Sequence, residues 1–218
     1  MITFGIITDG KEPYGVKAAE ASIKLQKTPG IQEIIICGKS DLFSAYDMYE
    51  VYGAEIIIAP ELAEAGKLGA MRNAICEVAK SDTIIIMDDD MILLDDFYTG
   101  LQKFGDDFDV MSVSIMNTDG SRFWDHCECV NGTSRLLGAD EQSDNLYVTG
   151  GLIVLKKYVH DAVQWSNTKG FYEGEDVDFS ERVRAAGFTI KHNPHSHAIH
   201  NDRRYRQSGE GVTRLDNG

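Results

Sequence analysis

Four short apolar runs punctuate the first half of the chain: ITFGIIT (2–8), EIIICG (33–38), AEIIIAP (54–60) and DTIIIMD (82–88). They are β-branched and continuous rather than alternating, which is the pattern of strands covered on both faces. Between the first two, Ala18, Ile23 and Leu25 fall on a helix that ends at TPG (28–30). Between the last two, Leu68, Met71, Ile75 and Val78 recur at helical spacing. Strand–helix–strand alternation predicts an α/β fold: a mixed, mostly parallel central sheet flanked by helices in a single domain. Such sheets bind ligands outside the carboxyl ends of their strands. Thr8 and Asp9, Gly38 to Asp41, and Asp88 to Asp90 all stand at such ends.

The second half changes character. DVMSVSIM (109–116) reads as a strand, and the polar stretch 117–145 as loops and an excursion without periodicity. LYVTGGLIVLKK (146–157) is a strand interrupted at Gly150–Gly151, where paired glycines suggest a bulge or a close backbone approach to a ligand. A helix is predicted around Val159 to Trp165. A second, about Asp176 to Ala186, carries Val177, Ser180, Val183 and Ala186 on one stripe and stops at Gly187. FTIKHNPHSHAIH (188–200) reads as a last strand and turn, and the Arg-rich end, 203–218, as a lid or a disordered tail.

Composition narrows the partners. The 218 residues carry a formal net charge of −14, which argues against nucleic acid or an anionic membrane. No run approaches the ~18 apolar residues of a membrane span. MITFGIITDG lacks the basic start of a signal peptide, so a cytoplasmic location is expected. Cys37 and Cys76 sit in apolar patterns and read as buried thiols. HCEC (126–129) has the look of half a zinc site without its other half.

The acidic triplet is the candidate chemistry. Asp88, Asp89 and Asp90 end an apolar run, where three carboxylates repel one another unless a cation joins them. On an extended segment Asp88 and Asp90 share a face, offering two hard oxygens suited to Mg²⁺ or Mn²⁺ and leaving positions for a substrate's phosphates. The bland reading is an acidic turn capping a following helix. A second acidic pair, Glu175 and Asp176, opens a helix after a glycine-containing loop. Helix N-termini favour negative charge and so keep a carboxylate ionised, as a general base must be. N-terminal capping alone is the alternative. Trp124, Trp165 and Tyr172 are candidates for stacking on a sugar ring.

Two blocks carry a resemblance. GAMRNAICEVAKSD (69–82) followed by IIIMDDDMIL (84–93), and FYEGEDVDFSERVRAAGF (171–188), together resemble GT-A fold glycosyltransferases of the family-2 style, with a DxD motif, a Glu-Asp helix motif and a late histidine. The resemblance spans nearly the whole chain and is loose before residue 60 and across 117–145. It implies one GT-A domain over 1–202, with a nucleotide-sugar half (1–116) and an acceptor half (117–202). Thr8 and Asp9 would meet the nucleobase and Asp41 would support it, with Arg72 and Asn73 as the paired residues of the preceding helix. Asp88 would face the ribose, Asp88 and Asp90 the metal, and Gly150 and Gly151 the donor sugar. Asp176 would be the base, assisted by Glu175, while Asp178 serves the helix. PHSHAIH (194–200) resembles the segment whose histidine completes the metal shell. The offset selects His200, with His197 second, and an imidazole favours Mn²⁺. The implied reaction moves a sugar from a nucleoside diphosphate, UDP by preference, to a carbohydrate or other hydroxyl acceptor with inversion.

Other readings stay open on residues alone. A retaining transferase carries similar acids and a late histidine. A sugar-phosphate nucleotidyltransferase shares the sheet and the metal, though TDGKEPYG (8–15) only faintly matches its loop. A binding module would keep the fold without turnover. The haloacid-type phosphatase pattern, the GxGxxG fingerprint and the P-loop are absent.

Overall fold

The computed structural model describes residues 2–10, 13–26, 31–39, 55–170 and 173–201. In chain order the elements are β1 (Ile2–Ile7), α1 (Pro13–Leu25), β2 (Ile31–Gly38), β3 (Glu55–Ile58), α2 (Pro60–Glu64), α3 (Leu68–Val78), β4 (Thr83–Asp88) and β5 (Met91–Leu93). There follow α4 (Phe97–Phe104), β6 (Val110–Asn117), β7 (Cys127–Val130), β8 (Thr133–Leu136), β9 (Leu146–Tyr147), β10 (Leu152–Lys156), α5 (Lys157–Ala162), α6 (Glu175–Ala185) and β11 (Ile190–His200). Asp41, Tyr172 and the tail 203–218 lie outside the described residues.

Eight of these strands form one sheet in the order β3-β2-β1-β4-β10-β6-β11-β5. β1 runs parallel to β2 and β4, β2 to β3, and β6 to β11, whereas β10 lies antiparallel between β4 and β6. Successive residues of each apolar run serve opposite faces. Phe4, Ile6, Ile85 and Met87 pack with Val16, Ile23 and Phe97 under α1 and α4. Ile7, Ile84 and Ile86 pack with Met71, Ile75, Val159 and Phe179 under α3, α5 and α6. Two covered faces explain why the runs are continuous rather than alternating, and each fully buried isoleucine contributes about 1.5–3 kcal/mol.

Several elements depart from expectation. The stretch 117–145 contains a hairpin, β7–β8, which joins β9 in a small three-stranded sheet. Its turn is Asn131–Gly132, with φ of 51° and 77°, a dipeptide that favours this left-handed turn. The helix expected at 159–165 ends at Ala162, and Trp165 stacks on Phe179 at 3.9 Å, 2 % exposed, so it is core. The last segment is one strand with a bulge. Asn193 aligns with Val113 and His197 with Ser114, so residues 194–196 leave the ladder. Ser196 donates to Phe97 O at 2.8 Å and Asn193 to Ser196 Oγ at 2.9 Å. A Cβ on Gly100 would stand 2.1 Å from His195 O, so only glycine lets α4 lie this close to the bulge.

Candidate functional site

The carboxyl ends of β1, β4, β6 and β11 meet where the acidic triplet stands. Asp88 closes β4, and Asp89 and Asp90 form a tight turn rather than an extended segment, which corrects the geometry expected for the triplet. The turn is clamped by backbone: Asp88 N donates to Gly151 O at 2.9 Å and Asn201 N to Asp90 O at 2.7 Å. Thr8 donates to Asp89 Oδ2 at 2.5 Å and accepts from Gly10 N at 3.1 Å. The middle acid is therefore tied to β1 through the Thr8 hydroxyl. Asp9, half-buried, follows at the same strand end.

Asp88 and Asp90 each hide one oxygen. Oδ1 of both is sealed from solvent and makes no hydrogen bond. Burial pushes the Asp88 carboxyl well above the ordinary carboxylate range; Arg72 opposes this, and Asp90, Asp89 and Glu175 add to it. Asp90 Oδ2 lies 3.2 Å from His200 Nε2, and His200 Nδ1 lies 2.9 Å from Asn117 Oδ1. Asn117 Nδ2 donates to Ser121 Oγ at 3.0 Å, which fixes the amide so that Oδ1 faces the ring. Asn117 Oδ1 therefore accepts from Nδ1–H, which leaves Nε2 as the ring atom that faces the carboxylate. An imidazole nitrogen and a carboxylate oxygen placed together in this way can share a cation, and a ligating histidine characteristically has its other nitrogen held as Asn117 holds this one. Phe123 packs on the ring at 4.4 Å between centroids.

Two sealed oxygens and this nitrogen fit a divalent cation of the Mn²⁺ or Mg²⁺ kind. As they stand, no three His, Cys, Asp or Glu side chains among the described residues converge as a finished ion site. His197 is elsewhere, 2.7 Å from Asp96, and the HCEC run does not assemble either. Cys127 and Cys129 pack with Tyr147, while His126 stacks on His192.

Arg72 is the hub. Fully buried on α3, it donates to Glu175 Oε1 at 2.9 Å and to Gly150 O at 3.1 Å, and its Nη2 lies 3.7 Å from Asp88 Oδ1. A Cβ on Gly150 would meet Arg72 Nη2 at 2.5 Å and Glu175 Oε1 at 3.3 Å, and one on Gly151 would meet Met91 Cε at 2.3 Å. Both glycines thus make room for protein side chains. Asn73, one helix step round, points away: its amide donates to Trp165 O and Asn167 Oδ1 and accepts from Trp165 N, at 3.0, 2.8 and 3.0 Å. The structure does not bring Asn73 to the triplet.

The second acidic pair arrives on α6, entered through Gly174 at φ 65°. Asp176 Oδ2 accepts from Gly150 N at 3.3 Å and Oδ1 from Val177 N at 2.8 Å. Burial, and then Glu175, raises its pKa despite these donors. Burial therefore works against the helix terminus, which favours the charged form. Asp178 pairs with Arg182 at 2.8 Å and does serve the helix. Sequence reasoning missed Asn117, Phe123 and the Thr8–Asp89 tie. No local pattern announces any of them, since each acts only through a partner brought close by the sheet.

No protein-family model matches the chain, and no curated protein matches it. Among solved structures it is similar to one described as GalNAc-T7 with UDP, GalNAc and Mn²⁺, at 12 % identity and a TM-score of 0.70, covering 92 % of this chain and 43 % of that one. It is also similar to S. aureus TarS 1–349, at 13 % identity and a TM-score of 0.59, covering 92 % and 58 %. The chain spans about half the length of each. No helix among the described residues is long and apolar enough to cross a membrane. With its mostly parallel sheet and helices on both faces, the chain has the GT-A glycosyltransferase fold.

Proposed function

We propose that the protein is a metal-dependent glycosyltransferase that moves a sugar from a nucleoside diphosphate, UDP first, to a hydroxyl acceptor with inversion. The observation that carries this reading is the His200 ring, held by Asn117 with Nε2 toward Asp90, beside two sealed carboxylate oxygens that make no hydrogen bond. The GT-A fold supports it, and so does the UDP and Mn²⁺ of the GalNAc-T7 structure. Asp88, Asp90 and His200 would hold the cation, which when bound stabilises charge on the departing diphosphate. Arg72 fixes the place of Asp88 and Glu175. Asp176, the base, takes the proton of the acceptor hydroxyl as that oxygen attacks the anomeric carbon; its raised pKa strengthens it for the task. Residues 1–116 bind the donor and 117–202 the acceptor.

Thermal denaturation with UDP, GDP or dTDP, each with and without Mn²⁺, tests the reading. At a hundredfold excess over Kd, UDP with Mn²⁺ stabilises by about 2.7 kcal/mol, a rise of about 5–11 °C for a chain of this size. Asp90→Asn removes that rise. No rise with any nucleotide and Mn²⁺ overturns the reading. Slow release of UDP from a UDP-sugar marks a transferase, whereas release of pyrophosphate from a nucleoside triphosphate and a sugar phosphate marks a nucleotidyltransferase.

A further inference from the structure

A second cleft of about 590 Å³ lies away from the acidic turn, within the roughly 300–1,000 Å³ of small-molecule sites. Its wall includes His126, Gln142, Asp144, Leu146, Lys191 and His192. His192 aligns with Ser112 on β6, and His200 with Asn117. Five residues of strand, about 17 Å, separate the two levels. The cleft is built from β11 and the 139–146 segment, not from the acidic ends that form the crevice above.

Its chemistry is specific. The His126 and His192 rings stack, with centroids 4.3 Å apart and planes 7° apart. His126 is 3 % exposed, and its Nδ1 has no hydrogen-bond partner. His192 Nδ1 is joined to Ser112 Oγ at 3.0 Å. Burial lowers the pKa of both rings, His192 to about 4, so at neutral pH they are uncharged. Lys191, the cation of the wall, is held by Asp107 at 2.7 Å. An anion therefore meets the Asp144 carboxylate and, for cations, a single lysine already shared with Asp107. Imidazole, amide and carboxylate groups suit hydroxyls instead, and Phe104, Ile190 and Pro194 supply apolar surface for the C–H faces of sugar rings.

We propose that this cleft binds a neutral, hydroxyl-rich ligand, the part of a carbohydrate acceptor remote from the reacting hydroxyl. Calling the ligand an acceptor rests on the transferase reading; the binding itself does not. The test is NMR of the full chain with ¹³Cε1-labelled histidine, without metal or nucleotide, titrated with maltohexaose, cellohexaose and tetra-N-acetylchitotetraose. At least one probe shifts the His126 and His192 signals saturably and leaves His200 in place. Ala139→Trp and, separately, Gln142→Trp, both exposed rim positions, abolish those shifts and keep the rise in Tm with UDP and Mn²⁺. The proposal is overturned if no probe moves His126 and His192, if only His200 moves, or if the shifts survive both tryptophans. Sugar shifts without a nucleotide effect sink the transferase reading and leave the cleft standing; the reverse result sinks only the cleft.

Discussion

Arg72→Met takes the cation out of the hub while keeping an unbranched side chain in its space. Arg72 is fully buried and the Glu175 side chain 9 % exposed, with 2.9 Å between them. Unit charges about 4 Å apart at an effective dielectric of about 20 attract by about 4 kcal/mol. Removing one member also strands the other, and buried pairs broken in this way lose about 3–5 kcal/mol. Arg72→Met is expected to fall in that range. With a urea m-value of about 3 kcal/mol/M, the midpoint drops by about 1–1.7 M. Glu175→Gln added to Arg72→Met relieves the stranded carboxylate. The double variant recovers most of the loss and stays about 1–2 kcal/mol below wild type, because Gly150 O still lacks its donor. A double-mutant cycle by urea denaturation measures the coupling. Two single losses that simply add, or a loss under about 1 kcal/mol for Arg72→Met, would refute the hub.

Three further outcomes follow from the geometry. On the proposed transferase reading, Asp176→Asn lowers turnover by about 10²–10⁴ with UDP affinity unchanged; in the wild type, burial has lifted this pKa, so the rate falls with decreasing pH at a higher pH than an ordinary aspartate would give, which a pH–rate profile reads. The His192 ring folds uncharged with its pKa lowered from 6.5 to about 4, so its stability contribution is complete above pH 6.5 and is lost as pH falls through about 4. After discounting for partial exposure this amounts to roughly 1–2 kcal/mol, seen as a flatter fall of urea midpoint with acid in His192→Phe; parallel curves contradict it. Gly100→Ala drives a methyl into the His195 backbone and costs about 3 kcal/mol, a drop in Tm of about 6–12 °C.

The legible parts of the fold were those where one residue's neighbours in sequence settle its fate. Runs such as Ile84–Met87 declare a doubly covered strand, and Gly187, at φ 89°, a helix end. β5 was hidden because three residues, Met91–Leu93, are too few to show a period. The β7–β8 hairpin had a usable signal in Asn131–Gly132 that the surrounding polarity obscured. At the site, the residue types were readable but the partners of each were not. Arg72 and Asn73 look alike as a pair, yet a helix turns about 100° per residue, so one reaches the acids and the other the Trp165 loop. The Asp176 pKa depends on burial, which no spacing reveals.

The bulge in β11 sets a parity. Asn193 and His200 are seven positions apart, an odd number that would put them on opposite faces of a regular strand. Looping out three residues leaves four ladder steps, Val113 to Asn117 on β6, and brings both side chains to the same face. Gaining or losing a single residue between 194 and 196 would exchange His200 for Ile199 or Asn201 opposite Asn117. Point changes in this segment should therefore be tolerated far better than changes in its length.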